Sequence, residues 1–437
     1  MLNKLFEFVQ SKTDYLYKNS LILQNIDLFI LISILAVFIS SVFAQSDTIG
    51  LFAIIAICLT FVNLFVKAGK NLKCNHFEMF LVAYFMFVII SLCGSSLFTL
   101  SLKGFVKIII YLGFYLSVVQ YLRYNSDKVW LILFTIAGCT SFEIIQGLIQ
   151  TVARPDAIST WQDTSYLNPE QVINRVYGTL KPLNPNLFGG YLVASIPTLV
   201  GSFAYFLYKN NKLLSYVFGT LTILSCYVLF QTGCRGAYIG LFAISVFLIF
   251  ISYKLFGYQY KKIYLSVVTT LSTIGILFIM SFSSLRARIF SIFAMRTDSS
   301  NSFRFNVYNS CMDMLKDNWL LGIGLGNNNF REVYGLYMKT GFDALSAYNI
   351  YLETAVESGI FSLLAFLAFL AFVIHDAYRY ITTQKYSLDV ISVLTALICI
   401  IGLMIHGFVD TVFFRPQIYF IFWTMVAIIR IKTNEEF

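Results

Sequence analysis

Four arginines are the first residues of this chain whose type suggests chemistry. Each lies beside a long apolar run, and they are Arg175, Arg235, Arg304 and Arg415. An arginine close to membrane hydrocarbon costs free energy, so one that is retained there usually has an anionic partner. The planar guanidinium fork fits phosphate and carboxylate groups. Any one of the four is equally well explained by an ion pair or by reaching toward the membrane surface. Together on one face, they predict an anion-binding site.

A second candidate group is a polar stripe that begins at Asn349. Asn349, Glu353 and Glu357 recur every four residues, which places them on one face of a helix. Two interpretations remain open. The carboxylates could neutralise arginines and fix the packing, or one of them could act as a general base or orient an acceptor.

Other polar residues support weaker hypotheses. Glu143, Gln146 and Gln150 form a stripe that favours hydrogen bonding between helices over an ion path. His406 and Asp410 are four residues apart, which fits a helix-end contact as well as a proton relay. The eight cysteines are scattered singly, without metal or redox spacing. We therefore predict no metal and no cofactor.

The composition shows what must position these residues. The 437 residues are 58% hydrophobic and only 12% charged, whereas soluble domains carry about 25% charged residues. Only helices or closed barrels satisfy their backbone groups in lipid, and the apolar runs here are far longer than barrel strands. The fold class is therefore an all-α polytopic transmembrane bundle. The net charge of +9 favours membrane orientation over nucleic-acid binding.

Apolar runs of about twenty residues predict twelve spans. They are 26–44, 47–66, 77–98, 102–122, 129–152, 185–208, 212–231, 236–256, 262–282, 350–374, 388–408 and 416–432. A merged or broken arrangement around 232–235 would leave eleven. Most lysines and arginines then fall on one side, whereas the short loops of the other side hold only Lys103, Lys107, Arg235 and Arg415. Since short cytoplasmic loops retain basic residues, we predict an inner-membrane protein with both termini in the cytoplasm.

This orientation divides the chain into three parts. Residues 1–25 form a cytoplasmic interfacial segment, 26–432 the membrane domain, and 433–437 a cytoplasmic tail. The loops 153–184 and 283–349 share the outer face, and such long loops are usually functional. The second loop is predicted to hold a helix over 305–318, a glycine turn and another short helix.

Five motifs in order carry a resemblance to a known family. They are Tyr177-Gly178-Thr179-Leu180, Asn184-Pro185-Asn186, Gly233-Cys234-Arg235-Gly236-Ala237, Arg304 followed by DNWLLGIGLGNNNF, and SAYNIYLETAVESG. Over about residues 170–375 the chain resembles the O-antigen ligase and polymerase superfamily of membrane proteins. The ending from His406 to Gln417 further resembles the cyanobacterial branch described as inorganic carbon (bicarbonate) transporters.

The resemblance implies a function at the outer face. These proteins transfer a sugar chain from polyprenyl pyrophosphate to a glycan or lipid acceptor, without nucleotide or metal. It implies that Arg235 and Arg304 clamp the diphosphate and that Arg175 assists. Asn349 and Arg415 are further candidates for substrate binding. The alternative is transport, or assistance of transport, of a small anion such as bicarbonate.

One position departs from the family pattern. Ligases place a histidine immediately before the asparagine that opens the tenth span, and this chain has Tyr348 there. Tyrosine, with an ordinary pKa near 10, is a poor base at neutral pH. Tyr348, Glu353 and Glu357 are therefore the candidate catalytic residues, and either Glu353 replaces the missing base or the scaffold serves another purpose.

Overall fold

The computed structural model describes residues 19–66, 76–153, 175–257, 260–293 and 299–433. Within these ranges the chain forms helices and connecting turns, and no strand. Most of the predicted interfacial segment, residues 154–174 of the first long loop and nearly all of the C-terminal tail lie outside the described residues.

Sixteen helices of the described ranges form the framework, after a single turn at Leu21–Gln24. They are α1 (Ile26–Phe43), α2 (Ser46–Val66), α3 (His76–Gly94), α4 (Phe98–Tyr124), α5 (Val129–Ala153), α6 (Pro185–Tyr208), α7 (Lys212–Gln231), α8 (Arg235–Ser252), α9 (Lys261–Ser281), α10 (Ser283–Phe290), α11 (Ser299–Asp317), α12 (Asn327–Tyr334), α13 (Ile350–Ser358), α14 (Ile360–Thr383), α15 (Leu388–His406) and α16 (Pro416–Thr433). The predicted helix, glycine turn and second short helix of the larger loop are present as α11, residues 322–326 and α12.

Eleven helices in the described ranges are long and apolar enough to cross a membrane. They are the ones predicted as spans, with α16 as the exception. The polar residues Gln417, Arg430 and Lys432 lower the apolar character of its 18 residues. The uncertain pair α7 and α8 remains two separate helices. The chain is therefore a polytopic helical membrane protein. The number of apolar spans in these ranges is eleven because α16 is less apolar, and not because α7 and α8 merge at residues 232–235.

The tenth predicted span, 350–374, is wrong as a single helix. The chain forms α13 and α14 instead, separated by Gly359 with φ of 85°. A Cβ at this glycine would lie 2.2 Å from the carbonyl oxygen of Leu320. The larger loop thus approaches the backbone where the helix breaks, and α13 lies among the loop residues while α14 forms the span.

The core is built around α16, which is buried along almost its whole length. It packs against α4, α14 and α15, and α15 packs in turn against α6. Trp423 lies at the centre, with its ring 5.4 Å from that of Tyr115 and 5.9 Å from that of Phe369. Burial of such large side chains supplies much of the packing energy of a helical bundle.

The described parts of the two long loops meet at the same end of this bundle. Arg175, from the first loop, and Arg288, from the second, donate to the carbonyls of Thr232 and Gly233 at distances of 2.7 and 3.1 Å. We call this the loop end. The two loops therefore share a face, as the sequence predicts, and the sidedness of that face stays a prediction.

Candidate functional site

The turn between α7 and α8 organises the loop end. Gly233 adopts φ of 64°, a left-handed conformation that glycine accepts without steric cost. The hydroxyl of Thr232 accepts a hydrogen bond from the Cys234 amide at 3.1 Å. The chain then enters α8 at Arg235, whose side chain is 7% exposed and donates to the backbone and hydroxyl oxygens of Ser291 at 3.2 Å. This turn brings residues from distant parts of the sequence together.

Arg175 is anchored by the Asn184-Pro185-Asn186 motif. Its guanidinium donates to the side-chain oxygen of Asn186 at 2.6 Å as well as to Thr232. Asn184 caps α6 by accepting from the Asn186 amide at 2.7 Å. Burial, with the charge of nearby Arg288, lowers the pKa of Arg175 to about 10. It therefore remains a cation at neutral pH.

Arg304, in the first turns of α11, is the least satisfied of these cations. Its guanidinium lies 3.9 Å from an Asp410 carboxylate oxygen and 5.8 Å from the centre of the Tyr348 ring. Among the described residues, its Nε is buried without a hydrogen-bond partner. Since a buried donor left unpaired costs free energy, this atom marks where an anionic ligand would be favoured. We call Arg175, Arg235, Arg288 and Arg304 the arginine cluster.

Tyr348, at the family's histidine position, is held in an unusual conformation. Its φ is 51°, which for a bulky side chain costs about 1–3 kcal/mol. Its carbonyl accepts from the Tyr308 hydroxyl at 3.1 Å, and its ring meets that of Phe303 edge-on at 5.7 Å. Burial raises the pKa of Tyr348. Tyr348 is thus less readily ionised than free tyrosine, and among its contacts the one with a charged group is that of its ring with Arg304.

Three buried side chains beside the cluster have donor atoms that could hold a metal ion. The ligand atoms of Cys234, His406 and Asp410 lie within 4.8 Å of one another. Burial raises the pKa of the Cys234 thiol, which keeps it protonated and weakens it as a ligand. Asp410 already accepts from the amides of Thr411 and Val412 at 2.7 and 3.1 Å. A cation here would also compete with Arg304 for Asp410.

The polar stripe of α13 supports the backbone around it. Asn349 caps the helix by accepting from the Tyr351 and Leu352 amides, both at 2.9 Å, and donates to the Phe408 carbonyl at 3.0 Å. Glu353 accepts from the Ala347 amide at 2.9 Å. Burial raises the pKa of Glu353 well above its ordinary value, which the nearby Glu357 carboxyl reinforces.

Glu357 lies one turn further, against the glycine turn. Its carboxyl accepts from the Gly326 amide at 2.9 Å, and burial raises its pKa. Both glutamates line a cavity of about 430 Å³, which also includes Arg415, Lys107 and Asp47. We call this the glutamate cavity. It adjoins the arginine cluster, since Glu353 holds the amide of Ala347, and the next residue, Tyr348, contacts Arg304 with its ring.

The structure sorts the four predicted arginines into two places. Arg175, Arg235 and Arg304 lie in the cluster, whereas Arg415 lines the cavity. Arg288 and Lys107 are site residues that the sequence interpretation missed. Arg288 lies in a short segment without a recognisable motif. Its position in the larger loop is the one feature of the sequence that could have indicated a functional role. Lys107 lies inside an apolar helix, and in the sequence it serves only to indicate how the spans are oriented in the membrane.

The stripe on α5 holds the first loop in place. Glu143 accepts from the Thr179 amide at 3.0 Å and from its hydroxyl at 2.5 Å. Gln150 accepts from the Tyr177 and Gly178 amides, both at 3.0 Å. The sequence favours bonds between helices over an ion path, and the bonds of Glu143 and Gln150 instead run from α5 to residues 177–179 of the loop.

Fold and site together define a class: a polytopic helical membrane protein with a cluster of arginines and an adjoining cavity at one end. Residues 220–367 match the family model described as O-antigen ligase. The range contains Arg235, Arg288 and Arg304, along with Tyr348 and the two glutamates of α13.

The chain is also 22% identical over 329 residues to the teichuronic acid biosynthesis protein TuaE of Bacillus subtilis. The match covers 72% of this chain and 63% of the length of that relative. The predicted resemblance to the O-antigen ligase and polymerase superfamily is thereby confirmed. Neither match supports the cyanobacterial inorganic carbon branch, so that finer assignment and bicarbonate transport stay predictions.

Proposed function

We propose that this protein transfers a glycan from a polyprenyl diphosphate to a glycan or lipid acceptor, as a ligase or polymerase. The observation that carries the proposal is the convergence of four arginines at the loop end. Arg175 and Arg288 bind carbonyls of the turn that precedes Arg235. Arg304 lies against Asp410, whose carboxylate is close to Cys234 of the same turn. The match to the O-antigen ligase family over residues 220–367, which contain three of these four arginines, supports it. In this proposal the loop end faces outward, as the distribution of basic residues predicts.

The proposed reaction is a displacement at the anomeric carbon of the donor sugar. The acceptor hydroxyl oxygen forms the new glycosidic bond while the bond to the diphosphate oxygen breaks. The bonding electrons leave with the diphosphate, and the hydroxyl proton passes to a base. Guanidinium groups fixed in position stabilise the charge that develops on the leaving group, with no reorganisation needed at that moment. Arg235 and Arg304 clamp the diphosphate, and Arg175 and Arg288 complete its positive surroundings.

The candidate bases are the two glutamates of the cavity. A carboxyl whose pKa is raised toward the working pH suits proton transfer better than an ordinary one. Glu353 lies nearer the cluster, because it holds the Ala347 amide next to Tyr348, whereas Glu357 holds the Gly326 amide. Tyr348 takes a positioning role: its ring fixes the guanidinium of Arg304 by a cation–π contact.

A transfer assay tests the proposal. Full-length protein in proteoliposomes would receive a synthetic polyprenyl diphosphate carrying a short oligosaccharide, and release of free polyprenyl diphosphate would be measured with cell-envelope glycan as acceptor. We expect release above empty vesicles, slowed about tenfold or more by Arg235→Lys, which keeps the charge and loses the planar fork. Arg331→Lys, in an exposed ion pair with Asp343, is the matched control. Release equal to that of empty vesicles, or unaffected by Arg235→Lys, would refute the proposal.

A further inference from the structure

The glutamate cavity is separate from the arginine cluster and has its own charge pattern. Its two cations, Lys107 and Arg415, come from α4 and from the residue just before α16. Among the described residues, neither has a carboxylate oxygen within 4.0 Å, although three carboxyl groups line the same space. The cations are therefore available to a ligand.

Two carboxyl groups of the cavity are already engaged with the backbone. Glu353 and Glu357 each use an oxygen to hold a backbone amide, of Ala347 and Gly326 respectively. Burial raises the pKa of both carboxyl groups, and it outweighs the lowering by the charges of Arg415 and Lys107. Asp47 is the remaining carboxyl group, and it is exposed at the start of α2.

The remaining wall of the cavity fits a sugar. Its aromatic side chains include Tyr84, Tyr111, Tyr419 and Phe420. These four rings are at most 7% exposed, so they close the apolar side of the cavity, while its glutamate and aspartate groups can hydrogen-bond the hydroxyls of a sugar. A volume of about 430 Å³ falls in the range of small-molecule sites. Two exposed cations beside such a wall select for a negative charge on that sugar.

We propose that the glutamate cavity binds the acceptor end of the glycan and that this acceptor is an acidic sugar, held by Lys107 and Arg415 through its anionic group. The inference rests on the proposed function and adds the class of acceptor. It places the attacking hydroxyl beside Glu353, at the boundary between the cavity and the arginine cluster.

The test is binding of defined saccharides to the full-length protein in lipid nanodiscs. The probes are a glucuronic acid disaccharide, a glucose disaccharide and a glucose disaccharide phosphate. We expect the two anionic probes to bind about tenfold more tightly than the neutral one, with a preference between them identifying carboxylate or phosphate. Lys107→Gln and Arg415→Gln should each remove most of this difference. Lys103→Gln, one turn away on α4 and outside the cavity, should leave it unchanged.

The same preparations separate this inference from the proposed function. Polyprenyl diphosphate binding, measured in parallel, should be unchanged in Lys107→Gln. Equal binding of neutral and anionic saccharides, or an equal loss in Lys103→Gln, would overturn the acidic acceptor. If saccharides bind as expected and polyprenyl diphosphate does not, the cavity is an anionic sugar site and the proposed transfer reaction fails instead.

Discussion

One buried arginine at each end of the bundle differs from the other in how completely its guanidinium is bonded. At the end away from the loops, Arg430 lies 3.0 Å from Glu78, which also accepts from the Tyr115 hydroxyl at 2.8 Å. At the loop end, Arg304 lies 3.9 Å from Asp410 and keeps a buried Nε without a partner among the described residues. Paired charges stabilise a fold, whereas a cation held in incomplete satisfaction is prepared for a ligand. The comparison suggests that stability and function occupy different ends of the molecule.

The largest effect is expected at the paired end. Arg430→Met removes the guanidinium that lies 3.0 Å from the buried Glu78 carboxylate, and breaking a buried pair on one side costs about 3–5 kcal/mol. Thermal unfolding in detergent should show a large fall in melting temperature. Lys316→Met, which breaks an exposed pair with Asp313, should leave the melting temperature unchanged. A small effect of Arg430→Met would mean that this end does not carry the stability assigned to it.

At the loop end the same kind of change should affect activity in preference to stability. Arg304→Gln should slow glycan transfer by about a hundredfold, the effect of removing one preorganised donor from a developing anion. The fold should persist, because Asp410 keeps its bonds to the Thr411 and Val412 amides. Transfer rate and melting temperature would be measured on the same preparation. A loss of stability that equals that of Arg430→Met would remove the contrast between the two ends.

Tyr348 offers a finer test of the loop end. Tyr348→Phe keeps the ring above Arg304 and removes only the hydroxyl, so transfer should change less than about twofold. Tyr348→Ala removes the ring and should slow transfer several-fold. A strong loss in Tyr348→Phe would instead assign chemistry to the hydroxyl and would contradict the positioning role. The pH profile of transfer should be the same in Tyr348→Phe and the wild type.

The smallest effect is expected from the pH dependence of stability. The folded-state pKa of Glu353 is raised by burial, so the folded protein holds its proton to higher pH than the unfolded chain does. Stability therefore falls as pH rises above the ordinary glutamate value of 4.5 toward the raised value. Glu353→Gln cannot ionise and should melt at a higher temperature than the wild type at pH 8, with the difference shrinking at pH 5. Glu332→Gln, at an exposed position, should show no such trend.

The membrane-spanning helices could be predicted from the sequence because a lipid bilayer requires apolar segments of about twenty residues. The order of the motifs in the sequence also predicted that Arg175, Arg235 and Arg304 belong to one anion-binding site. It could not separate Arg415 from them, since the destination of that side chain depends on how α16 packs against α4. Nor could it find the break at Gly359, which arises from the close approach of Leu320. The length of an apolar segment can be read from the local sequence, whereas contacts between distant segments cannot.

The partners of the polar stripes show the same limit. Glu143 and Gln150 were recognisable as a polar face on α5, but their bonds to residues 177–179 cross about thirty residues of sequence. Arg288 and Lys107 became site residues only once the fold placed them beside Gly233 and Glu357.

The most direct test of the account is binding of polyprenyl diphosphate to the purified full-length protein, comparing the wild type with Arg304→Gln. Lys316→Gln, on the same helix and exposed, controls for a general loss of positive charge. The arginine cluster predicts saturable binding that weakens roughly tenfold or more in Arg304→Gln and is unchanged in Lys316→Gln. Absence of binding in the wild type, or equal binding in both variants, would contradict a diphosphate site at the loop end.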